Sequence, residues 1–208
     1  MATNPTGGNT SLVERVKNIL MTPKTEWPRI DAEPATIGGI YTSYVMILAA
    51  IPPVCLLIGM LLIGLPYVTF STQYLVVQAI ITYVLSLVGI FVMAMIIEAL
   101  APTFGGTKDR VKAFKVAAYS WTAAWVVGIF SLVPMLSILG ILGLYSLYLL
   151  YLGLPVLMKT PADKAMVYVI AVIVAAVVIY LVIGAITGRI LMAVMPTPSP
   201  TISITYPG

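Results

Sequence analysis

Histidine is absent from this chain, and cysteine occurs once, at Cys55. A chain of this composition cannot form an internal disulfide, a zinc site built from Cys and His, or a catalytic pair of His with Ser or Cys. No glycine-rich phosphate loop precedes a helix in its polar segments, so nucleotide hydrolysis has no support either. The sequence therefore predicts a protein that is not an enzyme, binds no metal and carries no cofactor.

Charged residues are also scarce. They make up 9% of the 208 residues, against roughly 25% in a typical soluble domain, and hydrophobic residues make up 61%. Three stretches contain no Asp, Glu, Lys or Arg: 64 residues after Glu33, 43 after Lys115 and 24 after Lys164. One helical crossing of a bilayer needs about 20 apolar residues, so these stretches hold two, two and one crossings. The predicted fold is all-α, a polytopic membrane bundle of five transmembrane helices.

The crossings lie in a predicted transmembrane domain of residues 40–195. Their expected positions, set by the apolar runs and the turn residues between them, are about 40–65, 74–100, 113–133, 135–158 and 165–194. Residues 1–39 form a polar N-terminal segment before this domain. Residues 196–208, rich in Pro, Ser and Thr, are predicted to be a flexible external tail.

A short amphipathic helix is expected at about residues 11–21. Ser11 and Glu14 have the spacing of a capping box, in which the two side chains satisfy free N–H groups at a helix start. Apolar residues then recur at helical spacing up to Leu20, and Pro23 ends the pattern. We expect this helix to lie on the membrane surface, and the alternative is that it packs on cytosolic loops. The ten residues before it are expected to be disordered.

The basic residues predict the orientation of the bundle. With the N-terminus in the cytoplasm, ten of the eleven Lys and Arg residues fall on the cytoplasmic side and Arg189 is the exception, as the positive-inside rule requires. The expected topology is therefore N-in, C-out. A cytosolic basic face should attract anionic lipid headgroups and not nucleic acid. It consists of Lys108, Arg110, Lys112 and Lys115.

Polar side chains within the crossings are the candidate intramembrane site. Glu98 is the one acid inside a predicted crossing. A carboxylate in a bilayer is costly, so Glu98 is either a proton or cation relay or a structural group paired with Lys108 or Arg110. Tyr145, Tyr148 and Tyr151 recur every three residues, and their hydroxyls either line a polar seam inside the bundle or make interhelical hydrogen bonds.

Two further motifs concern helix shape and packing. Pro52 and Pro53 stand near the middle of the first crossing, where two missing backbone donors should kink or break the helix. Gly184 and Gly188 form a GxxxG spacing in the fifth crossing, which lets helix backbones approach closely. This packing is either within the chain or between copies of it.

Five segments carry a family resemblance: ILMTPKTEWP at 19–28, AEPAT at 32–36, ALAPTFGG at 99–106, AYS at 118–120 with Trp125, and YSLYLLYLGLPVLM at 145–158. Together they resemble the bacterial branch of the Yip family, named for Ypt/Rab-interacting membrane proteins. The similarity covers about residues 12–190, nearly the whole chain. It implies five membrane helices, a cytoplasmic N-terminus and a place in the bacterial cytoplasmic (inner) membrane, and it supplies no catalytic residues. Eukaryotic relatives act in vesicle traffic, a role that a short N-terminus and a bacterial cell do not support.

Two functions remain open from the sequence. The first is a non-enzymatic membrane scaffold that organises partner membrane proteins, lipids or further copies of itself. The alternative is a small permease or channel that uses Glu98 and the break at Pro52 and Pro53, because broken helices and intramembrane acids are typical of transport sites.

Overall fold

Five apolar helical spans dominate the computed structural model, which describes residues 11–64 and 70–194. The spans are Ile37–Leu62, Thr72–Leu100, Arg110–Leu132, Pro134–Met158 and Ala162–Ala193. The predicted all-α fold with five membrane-crossing helices is confirmed, and the chain is a multi-pass membrane protein. The predicted disorder of residues 1–10 and the predicted flexible tail 196–208 lie outside the described residues.

The first span is an assembly of short helical pieces. It consists of α-helical Ile37–Ile40, a π-helical turn Tyr41–Val45, and α-helical Met46–Ala49 and Ile51–Leu62. The α-helix is interrupted at Ala50, two residues before Pro52. Because proline has no N–H, the carbonyls of Leu48 and Ala49 lose the donors that a continuous helix would supply.

The third span is interrupted at Trp121 although it contains no proline. It consists of α-helical Arg110–Ser120 and Thr122–Val127 and a 3₁₀ segment Gly128–Leu132. The Thr122 hydroxyl donates to the Tyr119 carbonyl at 2.7 Å. It therefore accepts from the Tyr44 hydroxyl, 2.6 Å away, so this interruption is joined to the first span by a buried hydrogen bond.

The remaining spans differ in regularity. The second span, Thr72–Leu100, and the helix of the fifth, Ala162–Val194, are continuous α-helices. The fourth span begins as a 3₁₀ segment, Pro134–Leu144, and continues as the α-helix Tyr145–Met158. Its Ser146 hydroxyl accepts a hydrogen bond from the Ala124 amide at 3.0 Å, which holds it beside the third span.

Close helix packing depends on glycines other than the GxxxG pair. A Cβ at Gly59 would collide with the carbonyl oxygens of Ser131 and Leu132, and one at Gly128 would lie 2.6 Å from Pro52. A Cβ at Gly184 or Gly188 would meet no atom of the described residues within 4 Å. The GxxxG pair therefore makes no tight contact within the described part of the chain, while Gly59 and Gly128 let the first and third spans touch.

Two short helices precede the spans and form a hairpin. α1 is Leu12–Met21 and α2 is Pro23–Ala32, with the chain reversing at Thr22. The Ser11 hydroxyl accepts from the Glu14 amide at 3.2 Å, as the capping pattern predicts. α2 packs along the fourth span and α1 against Thr122–Val127 of the third. The buried side of α1 thus lies against the bundle.

Candidate functional site

The hairpin meets the spans at one end of the bundle, which we call the charged end. Here the second span ends at Leu100, the third begins at Arg110, and the fourth ends at Met158. Seven charged residues form bonds within the hairpin or between it and these spans, and we call them the hairpin network. They are Arg15, Glu26, Asp31, Glu33, Lys112, Lys115 and Lys159.

Arg15 is the centre of the network. Its guanidinium donates to the carboxylates of both Glu26 and Glu33, and it lies 5.7 Å from the centre of the Tyr119 ring. The side chains of Arg15 and Glu26 are only 7% and 5% exposed. A charge removed from water in this way must keep its partner, because an unpaired buried charge costs several kcal/mol.

Lys115 holds the end of α2. The residue is 4% exposed, and its ammonium donates to the carbonyl oxygens of Ile30 at 2.6 Å and Glu33 at 2.5 Å. The last carbonyls of a helix have no partner within the helix and carry partial negative charge. A lysine of the third span therefore caps α2 and ties it to the bundle.

Asp31 joins the hairpin to two spans at once. Its carboxylate lies 2.8 Å from the Lys112 ammonium and 2.6 Å from the Lys159 ammonium. Partial burial would raise the pKa of Asp31, but the hydrogen bonds and charges of the two lysines hold the pKa below its ordinary value. The ionised form is therefore the one that the docked hairpin favours.

Replacing Asp31 by Asn is expected to weaken hairpin docking by roughly 1 kcal/mol, because two partly exposed ion pairs are lost. Since the folded-state pKa is lowered, the contribution of Asp31 is complete above the ordinary carboxyl pKa of about 4 and is lost as the pH falls toward the folded-state value. Hydrogen exchange of the α2 amides, corrected for intrinsic rates, measures both effects. An acid-induced rise in exchange that is equally large in Asp31→Asn and in the parent would contradict this role.

Trp27 anchors α2 by fitting against a glycine. The side chain is fully buried, and a Cβ at Gly153 of the fourth span would lie 2.5 Å from the indole ring. We expect Gly153→Ala to weaken docking by about 1–3 kcal/mol, because overpacking forces the ring or the helix outward. Faster exchange of the α2 amides with unchanged exchange in the second span is the predicted signature. If the α2 amides of Gly153→Ala exchange as slowly as those of the parent, the indole ring adapts to the methyl group without loss of docking.

The predicted basic face is divided among different partners. Lys108 is exposed, whereas Arg110 donates from Nε to Glu98 at 2.9 Å. Lys112 and Lys115 belong to the hairpin network, so Lys115 does not lie on an open basic surface as the sequence suggested. The reason is that two acidic residues before the first span meet these lysines: the Asp31 carboxylate pairs with Lys112, and the Glu33 carbonyl accepts from Lys115.

Glu98 forms an ion pair with Arg110, one of the two partners that the structural alternative named. Its side chain is 10% exposed, and its partner Arg110 is 67% exposed. Arg110, which is largely exposed at the charged end, neutralises the negative charge of the Glu98 carboxylate by this ion pair. Glu98 does not line the cleft described below.

The tyrosine row lies on the outside of the bundle. Tyr145, Tyr148 and Tyr151 are all more than a third exposed, so they do not line an internal polar seam. Tyr145 and Tyr148 contact each other, with ring centres 5.4 Å apart. The Tyr145 hydroxyl donates to the carbonyl of Leu20 in α1 at 3.0 Å, which is an interhelical bond of the kind that the sequence left open.

A cleft of about 120 Å³ lies at the interruption of the first span. Its lining is mostly apolar and includes Pro52 and Pro53, together with the polar side chains of Gln78, Thr82 and Ser131. These three side chains come from the second and third spans. The cleft therefore combines the helix break with a few hydrogen-bonding groups.

The hairpin acids, Arg15 and Trp27 were not predicted as site residues. The available signal was charge complementarity: the acids at 26, 31 and 33 precede the first span, and the lysines follow the second and fourth. Sequence order alone does not bring these groups together, because their contacts span up to 128 residues.

Comparisons with known proteins identify the family. The family model described as the Yip1 domain matches residues 17–184, which is most of the chain and includes α2 and the five spans up to the GxxxG motif. Searches of curated proteins and of solved structures gave no match. The match agrees with the resemblance of the sequence segments and with the five apolar spans, and this chain therefore belongs to the Yip1 domain family.

Proposed function

We propose that this protein is a non-enzymatic membrane scaffold that organises partner proteins or lipids at the charged end of its bundle. We place that end in the cytoplasm and the protein in the bacterial cytoplasmic membrane, because ten of the eleven basic residues then obey the positive-inside rule. Family membership supports a membrane role without catalysis. The hairpin would be the surface that partners meet.

The observation that carries this proposal is the buried attachment of the hairpin. Asp31 and Lys115 fix α2 to the spans and Arg15 joins α1 to α2, while Glu14, Lys17 and Lys24 remain exposed on the outer side. A surface held in one conformation loses little entropy when a partner binds. The outer charges can therefore determine partner choice without affecting docking.

Crosslinking and affinity capture from native membranes test this role. We expect reproducible partners with the parent protein, and capture lowered by about tenfold in Lys17→Glu/Lys24→Glu, because reversing exposed charges at an interface slows association. Lys164→Glu, which changes an exposed charge in the first turn of the fifth span, is the control and should capture normally. Failure to recover any reproducible protein or lipid partner with the parent would overturn the scaffold role.

The cleft at Pro52 and Pro53 supports a second candidate, a small permease or channel. Broken helices flanked by polar side chains are typical of transport sites. The ion pair of Glu98 with Arg110 weakens the proton-relay version of this idea. Flux into liposomes should then depend on Gln78 and not on Glu98, so Gln78→Leu would abolish it and Glu98→Gln would not. The absence of any flux above that of empty liposomes would exclude this candidate.

A further inference from the structure

The apolar outer surface of the bundle reaches different heights on its two sides. On the second span, exposed apolar side chains continue to Met95, close to the charged end. On the fifth span they begin at Met166, four residues after the span starts. On this side the surface suited to lipid tails therefore extends almost to the charged end.

On the first span the same surface stops much earlier. Its exposed large apolar residues begin at Met46, and the exposed residues nearer the charged end are small or polar, including Thr42 and Ser43. The Tyr83 hydroxyl donates to the Met46 carbonyl at 3.0 Å, so Met46 lies at the level of Tyr83 on the second span. From Tyr83 to Met95 the second span rises by about 18 Å at 1.5 Å per residue. The apolar surface of the first span therefore ends about 18 Å farther from the charged end than that of the second span.

The fourth span and the hairpin tip stop at a similar level. Exposed aliphatic residues of the fourth span end at Leu144, and the tyrosine row begins at Tyr145. The bond from Tyr145 to the Leu20 carbonyl places the hairpin tip beside that boundary. The Tyr145–Lys159 stretch covers about 21 Å of helix, so the tip lies deep along the fourth span and not at its end.

The outer side of the tip nevertheless carries polar side chains, beside one exposed apolar residue, Met21. Thr22, Lys24 and Thr25 are exposed there, and Lys17 is exposed one turn before Met21. A lysine facing lipid tails is costly, and tyrosines favour the interface between tails and headgroups. A bilayer meeting a shortened apolar surface thins at modest cost. The exposed lysines make anionic headgroups the fitting occupant of the space beside the tip.

We propose that the leaflet at the charged end is depressed on the hairpin side, with its hydrocarbon boundary at the level of Met46, Tyr145 and the hairpin tip. Anionic phospholipid headgroups fill the depression and contact Lys17 and Lys24. This inference deepens the lipid part of the proposed function and rests on it, but it does not depend on any protein partner.

Cysteine labelling in vesicles tests the depression. In a Cys55→Ser background, Lys24→Cys and Met95→Cys each place one exposed thiol, and a membrane-impermeant maleimide is present on both sides of the vesicle. We expect Lys24→Cys to react at least about tenfold faster than Met95→Cys, although Met95 is only five residues from the end of its span. Equal protection of both thiols would place the tip in lipid tails, and equal labelling would place both in water. Either result overturns the depression.

Lipid selectivity tests the headgroup contact. Spin-labelled phosphatidylglycerol should be enriched beside the parent protein relative to spin-labelled phosphatidylcholine, and Lys17→Gln/Lys24→Gln should lower the enrichment by about twofold or more. Lys17→Arg/Lys24→Arg keeps the charge and should retain it. Unchanged selectivity in the Gln variant would overturn the contact with Lys17 and Lys24. If both the labelling and the lipid-selectivity results contradict the depression while the parent protein still captures partners, the scaffold role stands and the depression does not.

Discussion

Replacing Arg15 by methionine is expected to destabilise hairpin docking by about 3–5 kcal/mol, the usual cost of leaving a buried ionic partner alone. Arg15 bonds to Glu26 and Glu33, and Glu26 is almost wholly buried, so its carboxylate cannot recover water while the hairpin stays docked. Glu33 is one-third exposed and keeps a contact with Arg29. The loss therefore arises chiefly from Glu26.

Hydrogen exchange of the α1 and α2 amides in detergent solution measures this effect. A weakening of this size raises the open population of the hairpin, and exchange should accelerate by at least about a hundredfold. The second span, which makes no bond to Arg15, should exchange as in the parent. Unchanged protection of α2 in Arg15→Met would show that the ion pairs do not hold the hairpin.

The double variant Arg15→Met/Glu26→Met is the matched control. Replacing a buried ion pair by apolar side chains of similar volume is often neutral or stabilising, whereas removing one partner is not. We expect the double variant to recover most of the protection that Arg15→Met loses. If the α1 and α2 amides exchange as fast in the double variant as in Arg15→Met, Arg15 acts through packing on Tyr119 and not through its charge.

Gly59→Ala is expected to destabilise the bundle by about 3 kcal/mol, at the upper end of the usual overpacking cost. The added Cβ would point at the Ser131 carbonyl oxygen and lie 2.6 Å from the Leu132 carbonyl oxygen. These are backbone atoms, which cannot rotate away as a side chain can. The first and third spans must separate to admit the methyl group, and the lining of the cleft at Pro52 would change with them.

Thermal unfolding in detergent, followed by circular dichroism, measures the loss. Gly184→Ala is the control, because no described atom lies within 4 Å of its Cβ position, and it should stay within about 0.5 kcal/mol of the parent. A lower association state in Gly184→Ala, at unchanged stability, would indicate that the GxxxG face joins two copies. Equal stability losses in Gly59→Ala and Gly184→Ala would contradict the close packing of Gly59 against the third span.

The five spans could be predicted because the bilayer imposes a simple rule on sequence. A crossing needs a charge-free apolar run of set length, and the runs after Glu33, Lys115 and Lys164 satisfy it without reference to any contact. The pair at Pro52 and Pro53 likewise indicates a break locally, since proline removes backbone donors whatever surrounds it. The interruption at Trp121 involves no proline, and the Thr122 hydroxyl there bonds both to the nearby Tyr119 carbonyl and to Tyr44 from another span.

Sites were harder to predict than helices. Glu98 stood out because it is an acid in an apolar run, yet it is paired with Arg110 at the charged end. Lys115 was expected on an exposed face and is buried against α2. The tyrosine row has a regular spacing, but spacing does not tell whether a helix face meets lipid or protein, because both are apolar.

The sequence by itself determined that this protein lies in a lipid bilayer, how many times it crosses the bilayer and how its basic residues are segregated. These follow from the cost of charge in lipid, which each residue incurs independently of its neighbours. Only the tertiary structure decided which charges are buried together, where the hairpin lies and how far the apolar surface extends on each side. Those outcomes depend on contacts such as Lys159 with Asp31, between residues distant in the chain, and no local pattern of residues encodes them.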